Sequence, residues 1–402
     1  MRRFPILILL LFATVPVFAQ KLETLAATGY YETGTMDFGP YYQTLGYNEI
    51  EGLRLGLGLR TGKLISRTVR VSGYGAYGFR DHRWKGGLTT EFMFGNDPWR
   101  KLTLSARHDL AQLGTAAQLR DNAFFNSLLA RSTGRRLTMV DEYRISYDHE
   151  MGEGFFNSLS AEHSRIYGNA YVPMVRPDGI PIARIDVDQF RYQARLSWEE
   201  AVSRGVFDLY VYPTRYPVLT LEMNAGRSTG NHFFFRPEVS VDWRIAAGGA
   251  GTGRLHTNSG WISGKVPYPL LKLHEANNTF LYDRNSFACM AYYEFASDFW
   301  TDICYEHDFG GILFRHVPLF RKCREMVALK GAWGGISRKN RGEEALLLLP
   351  EGTSPLDKPY LEASVGIDGL LRIIRIDISR RLTLSTGTSR DWAVTVGFRS
   401  LF

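Results

Sequence analysis

Glu306-His307-Asp308, with Asp302 just before and Gly310-Gly311 just after, gathers ionisable side chains in a short stretch of the 402-residue chain. In a barrel-embedded hydrolase a histidine activates a serine and is itself oriented by a third polar group. Consecutive residues of a strand alternate faces, so His307 points away from both neighbours. The metalloprotease pattern His-Glu-x-x-His does not occur. Polar residues at a strand end, level with lipid headgroups, account for the cluster without catalysis. The reading assigns no catalytic residue, no metal and no cofactor.

Gly73-Tyr74-Gly75-Ala76-Tyr77-Gly78 spells the dinucleotide fingerprint. That mechanism needs a helix N-terminus immediately afterwards to hold the pyrophosphate. Phe79-Arg80-Asp81-His82-Arg83-Trp84 follows, and then another alternating run, so the glycines are read as bending a β-wall or accepting aromatic neighbours. The three cysteines are Cys289, Cys304 and Cys323. Odd positions from Phe287 to Phe295 are apolar, which places Cys289 on the lipid face of a strand, whereas Cys304 shares the parity of Asp302 and Glu306 on a lumen face. Side chains on opposite faces cannot bridge, so free thiols are expected.

The elements that carry these residues follow from alternation. In Leu53-Arg54-Leu55-Gly56-Leu57-Gly58-Leu59-Arg60 every odd residue is Leu and every even one Gly or Arg. A period of two means strand. Phe190 to Trp198, Val239 to Ile245 and Ile374 to Ile378 repeat the pattern. Segments of about ten residues between turn signals, about 16 in all, suit tilted strands of a transmembrane antiparallel β-barrel over 49–402. The inward set includes Arg54, Arg60, Arg107, Asp109, Glu142, Arg144, Asp148, Arg191, Arg195, Glu238, Asp242, Arg244, Glu294, Asp302, Glu306, Arg375, Asp377 and Arg399. Mixed signs suggest a cross-linked or plugged lumen, since a selective pore favours a ring of one sign. Irregular stretches at about 113–135, 168–186, 267–285 and 338–358 are read as surface loops or lumen plugs.

The ends fit this reading. Met1-Arg2-Arg3, the apolar run Ile6 to Phe12 and small Ala19 predict a signal peptide over 1–19. Residues 20–48 read as a short periplasmic or lumen lead. No later run of about 18 apolar residues could cross a membrane as a helix. Lys+Arg 48 against Asp+Glu 41 leaves +7 without a basic block, so no nucleic-acid partner is expected. Trp392, Val394, Val396, Phe398 and terminal Phe402 share one parity. They form the insertion signal expected to engage the barrel assembly machinery through strand pairing. Leu53 to Leu59 is the expected closing partner of this last strand.

Tyr47-Asn48-Glu49-Ile50-Glu51-Gly52-Leu53-Arg54-Leu55, Tyr77 to Lys85, Asp109 to Gly114, Gly264 to Leu271, Tyr293 to Asp298, Tyr305 to Phe309, Val317-Pro318-Leu319 and Lys358 to Glu362 together resemble a bacteroidete outer-membrane family of unknown function. The resemblance implies an outer-membrane barrel, distantly similar to those of outer-membrane assembly and two-partner secretion. It also implies a carboxypeptidase-regulatory-like sandwich ahead of the barrel, for which 20–48 is too short. Gly366-Ile367-Asp368-Gly369-Leu370 departs from the Asn-bearing form of the family. No catalytic residues carry over. The function expected is envelope biogenesis or transport across the outer membrane without enzyme chemistry, with outer-membrane lipids as partners. The alternatives are a lipid hydrolase with His307 as its base and a passive surface or adhesion scaffold.

Overall fold

The computed structural model describes residues 28–113, 136–383 and 390–398. The expected signal peptide, Arg399 and Phe402 lie outside the described residues.

Only an extended chain puts an alternating sequence's apolar residues on one side and its charges on the other. The long strands that result are β1 (Gly52–Thr61), β2 (Val69–Gly78), β3 (Trp84–Asn96), β4 (Trp99–Gln112), β5 (Leu137–Gly152), β6 (Phe155–Tyr167), β7 (Arg184–Leu196), β8 (Val218–Ser228), β9 (His232–Ala246), β10 (Thr252–Trp261), β11 (Phe299–Asp308), β12 (Arg324–Gly335), β13 (Tyr360–Leu370), β14 (Ile374–Arg381) and β15 (Trp392–Phe398). Each pairs antiparallel with the next. Two short strands, Met36–Phe38 and Gly46–Asn48, pair with opposite ends of β1. Part of the stretch read as a lead therefore runs along the wall as one interrupted strand, broken by Pro40 and the short helix α1 (Tyr41–Thr44). This strand and β1–β15 match the expected count of about 16; with short pieces included, the sheet has 18 strands.

The expected closing ladder between β15 and Leu53 to Leu59 is not formed. β1 already carries the interrupted strand on that edge, and the outer edge of β15 is met from inside the wall. Val396 N–H donates to the Phe280 carbonyl, and Tyr282 N–H donates to the Val396 carbonyl at 2.8 Å. An unpaired strand edge leaves backbone groups unsatisfied, and residues 280–282 supply partners for part of it.

The two ends differ in their connections. One end has the tight turns 97–98, 153–154 and 371–373 beside the loops 197–217 and 309–323; the other has the short turns 79–83 and 229–231 beside 113–136, 168–183, 262–298 and 336–359, among them the longest connections of the chain. In outer-membrane barrels the long loops face outward and the short turns the periplasm, and we call the long-loop end the upper one. Leu57, Leu88, Phe94, Tyr143, Leu159 and Phe190 are exposed on the outer face. Inside, Val140, Ile166, Ile185, Val187 and Phe234 pack with Val172, Met174, Val266, Tyr268, Leu273 and Tyr293 as one apolar core.

Phe287 to Phe295 is not a lipid-facing strand. Only Phe295–Ser297 is extended in a ladder, pairing with Lys272–Leu273 and Ser354–Pro355 inside the wall. Its apolar alternation serves an inner cluster: Phe287 and Phe295 pack with Met290 and Tyr360. Cys289 is accordingly 1% exposed and not turned to lipid. Cys289, Cys304 and Cys323 are all buried free thiols.

Candidate functional site: the inner segment and its anchors

Between β10 and β11 the chain runs through 262–298: Ser263–Gly264 still pairs with β9, and the rest leaves the wall and packs inside it. Its regular hydrogen bonding is short, so its polar groups seek partners on the inward faces of β11–β14. His274 Nδ1 lies 2.9 Å from Asp302 Oδ1, and Lys272 Nζ 3.5 Å from Asp302 Oδ2. Burial works against the Lys272 charge, but Glu275, Asp302 and Glu238 outweigh it and raise the pKa above the usual lysine value. Glu306 accepts from Arg375 at 2.7 Å and meets Arg284 at 3.3 Å and the Tyr282 hydroxyl. Arg375 also binds Asp377 at 2.6 Å and lies 3.8 Å from the Tyr282 ring centre.

Further anchors use backbone. Lys330 Nζ donates to the carbonyls of Asp283 and Ser286, at 3.2 and 2.6 Å. Glu362 accepts from Ala288 N–H, Cys289 N–H and the Tyr360 hydroxyl. Arg381 and Glu294 approach to 2.7 Å with both side chains 0% exposed, and the guanidinium sits 4.8 Å from the Tyr360 ring centre. A buried charge is costly unless it is paired; Arg381 is paired with Glu294 by charge, although its guanidinium nitrogens make no hydrogen bond among the described residues. The segment and one side of the wall thus neutralise each other.

One anchor has the geometry of a catalytic triad. Ser297 Oγ lies 2.9 Å from His274 Nε2, and the other ring nitrogen meets Asp302. A triad also needs room for a substrate carbonyl beside the hydroxyl. Ser297 is 0% exposed, and a Cβ at Gly334 would lie 2.9 Å from its hydroxyl oxygen. In this state the arrangement ties the inner segment to the wall. Sequence reading did not find His274 or Ser297, nor Lys330, Glu362 and Arg381.

His307 is placed elsewhere: its ring nitrogens lie 2.9 Å from the Tyr305 hydroxyl and 2.9 Å from the Ala250 carbonyl. A Gly-x-Ser-x-Gly pattern, Gly226-Arg227-Ser228-Thr229-Gly230, spans the end of β8 and the turn to β9. It is no strand-to-helix elbow. The Gly73 to Gly78 motif lies in β2 and is followed by a turn and β3. Trp392, Val394 and Phe398 are exposed on β15, whereas Val396 is half-buried beside the inner segment.

Most of the remaining inward charges pair within the wall or with its lower loops. Arg54 forks onto Asp109 at 2.6 and 2.7 Å, and Arg107 binds Glu142 at 2.8 Å. At the lower end, the loop after β7 inserts Phe207, 1% exposed, between Met93 and Trp99, while Asp208 binds Arg70 at 2.9 Å. Among the described residues no group of three or more His, Cys, Asp or Glu is placed to hold a metal. No described helix is long and apolar enough to cross a membrane.

Residues 26–166 and 193–331 match the model described as "Family of unknown function (DUF5686) C-terminal domain". No curated protein matches the sequence. Among solved structures, BamA from Haemophilus ducreyi lacking POTRA domains 1–3 is similar at 11% identity over 90% of this chain and 69% of that one, with a TM-score of 0.54. CdiB from Acinetobacter baumannii is matched at 10% identity over 90% of this chain and 57% of that one, with a TM-score of 0.42. At such identity the BamA likeness speaks to fold alone, an outer-membrane barrel.

Proposed function

The chain belongs to the DUF5686 family of unknown function through its C-terminal domain, and from that premise we propose that it is an outer-membrane barrel for envelope biogenesis or gated transport, closed at rest. The observation that carries this reading is the inner segment 262–298 held by fully desolvated partners, of which Arg381–Glu294 is the clearest. A passive diffusion pore has no use for such an obstruction. The exposed apolar belt on the outer face favours a lipid surround over water, and Trp392, Val394, Val396, Phe398 and Phe402 serve as the insertion signal.

Planar-bilayer recording tests the resting state. The wild-type barrel is expected to stay electrically silent apart from brief openings, and Glu306→Gln, which removes the charge shared by Arg375 and Arg284, to open more often. A steady ohmic conductance in the wild type would overturn the closed-lumen reading. Unchanged envelope composition and permeability in cells lacking the protein would overturn the envelope role.

A second reading, a lipid hydrolase, rests on Ser297–His274–Asp302 and no longer on His307. It requires displacement of the inner segment to expose Ser297. Lipase activity abolished by Ser297→Ala in a folded barrel would favour it.

A further inference from the structure

The outer surface of β3–β8, on the opposite side of the wall from the inner segment, carries an unassigned concavity. Cross-strand register puts Leu88, Ala106, Tyr143, His163, Asp188 and Arg227 in one outward row. The next row, two residues toward the lower end, runs Thr90, Leu104, Ile145, Ala161, Phe190 and Ala225. Ala106 and Ala161 leave a floor between bulkier neighbours, and Leu88, Leu104, Tyr143, Ile145 and Phe190 wall a groove of about 730 Å³. All five side chains are at least 40% exposed.

The groove stops upward at charge. His163 Nδ1 lies 2.7 Å from Asp188, which also accepts from Arg227 Nε at 3.0 Å. One row higher, Arg165 Nε donates to Asp186 at 3.1 Å. Both arginines are thus fixed through Nε alone, and among the described residues their Nη groups have no protein acceptor. By register these arginines stand on the outer face near the upper ends of β6 and β8, the level that outer-leaflet headgroups would take around a barrel in the outer membrane. An arginine fork presents parallel donors in the geometry that phosphate accepts.

We propose that this groove binds a phosphorylated glycolipid of the outer leaflet, of the lipid A class, with one acyl chain over Ala106 and Ala161 and a phosphate on the Nη groups of Arg165 and Arg227. Asp186 and Asp188 hold the guanidinium groups in place, and their charge makes the site weak for small anions that lack the chain. The site requires the barrel to stand in an outer membrane, and is independent of whether the lumen opens.

Native mass spectrometry on the full-length barrel, titrated with bisphosphorylated lipid A and with the same lipid stripped of phosphate, tests this. The phosphorylated lipid is expected to bind and the stripped one to lose about tenfold per charge-assisted contact. The Arg165→Gln/Arg227→Gln variant is expected to bind both lipids equally, and Ala161→Phe, which fills the floor, to weaken both. Heat-modifiable gel migration identifies folded variants; if none folds, the two lipids on the wild type still decide. Equal wild-type affinity for both lipids overturns the phosphate site. Undiminished binding by a folded Ala161→Phe, or displacement of the lipid by millimolar inorganic phosphate, overturns the groove.

Discussion

The lumen has two unlike walls. On β11–β14 the inward residues Asp302, Glu306, Lys330, Glu362, Arg375 and Arg381 are buried, and each is bonded to the inner segment or to a partner of it. On β4–β7 the inward Arg107, Arg144 and Arg191 are 38, 34 and 33% exposed along their side chains and bind acids on neighbouring strands. The same residue types thus do different jobs. Against the inner segment a missing partner leaves a desolvated charge; on the other wall water replaces it. The difference predicts that tolerance to substitution follows the inner segment and not the sign or number of charges.

The largest expected effect is at Glu294. Glu294→Gln keeps an acceptor for Ala291 N–H but leaves Arg381 charged and buried, and should cost about 3–5 kcal/mol. The measurement is the urea midpoint of the gel-shift transition in detergent. Glu294→Leu with Arg381→Met, which removes both charges, should recover most of the loss; a double variant as unstable as the single one would break the comparison. Ser297→Ala comes next. It deletes a buried hydroxyl's bond to His274 without uncovering a charge, so about 1 kcal/mol is expected in the same assay.

Legibility in the sequence follows the same divide. Leu53 to Arg60, Phe190 to Trp198 and Ile374 to Ile378 could be read because a wall between lipid and an interior fixes each residue's face by parity alone. Arg54, Arg107, Arg144 and Arg375 were legible as inward for that reason. The inner segment obeys no such rule. Phe287 to Phe295 alternates like a strand, but its apolar residues turn to Tyr360 within the lumen. His274 joins Ser297 and Asp302 through tertiary contacts across irregular chain, for which one sequence offers no period. The strand over 36–48 was hidden by its own break at Gly39-Pro40, and the seam at β15 by the rival partner at 280–282.

The smallest effect is the sharpest control. Arg144 Nη2 lies 2.5 Å from Glu162 and 3.4 Å from Glu142, a geometry as close as that of Arg381 with Glu294. Distance alone therefore predicts equal losses for Arg144→Gln and Glu294→Gln. Burial does not: Arg144 is one-third exposed, Glu162 and Glu142 are 10 and 17% exposed, and water can take over their hydrogen bonds when the guanidinium goes. Screened pairs of this kind contribute about 0–1 kcal/mol. Arg144→Gln should consequently shift the urea midpoint by less than Ser297→Ala, even though it removes a full charge. A shift comparable to that of Glu294→Gln would show that the β4–β7 side is as dry as the β11–β14 side, and that the inner segment does not divide the lumen.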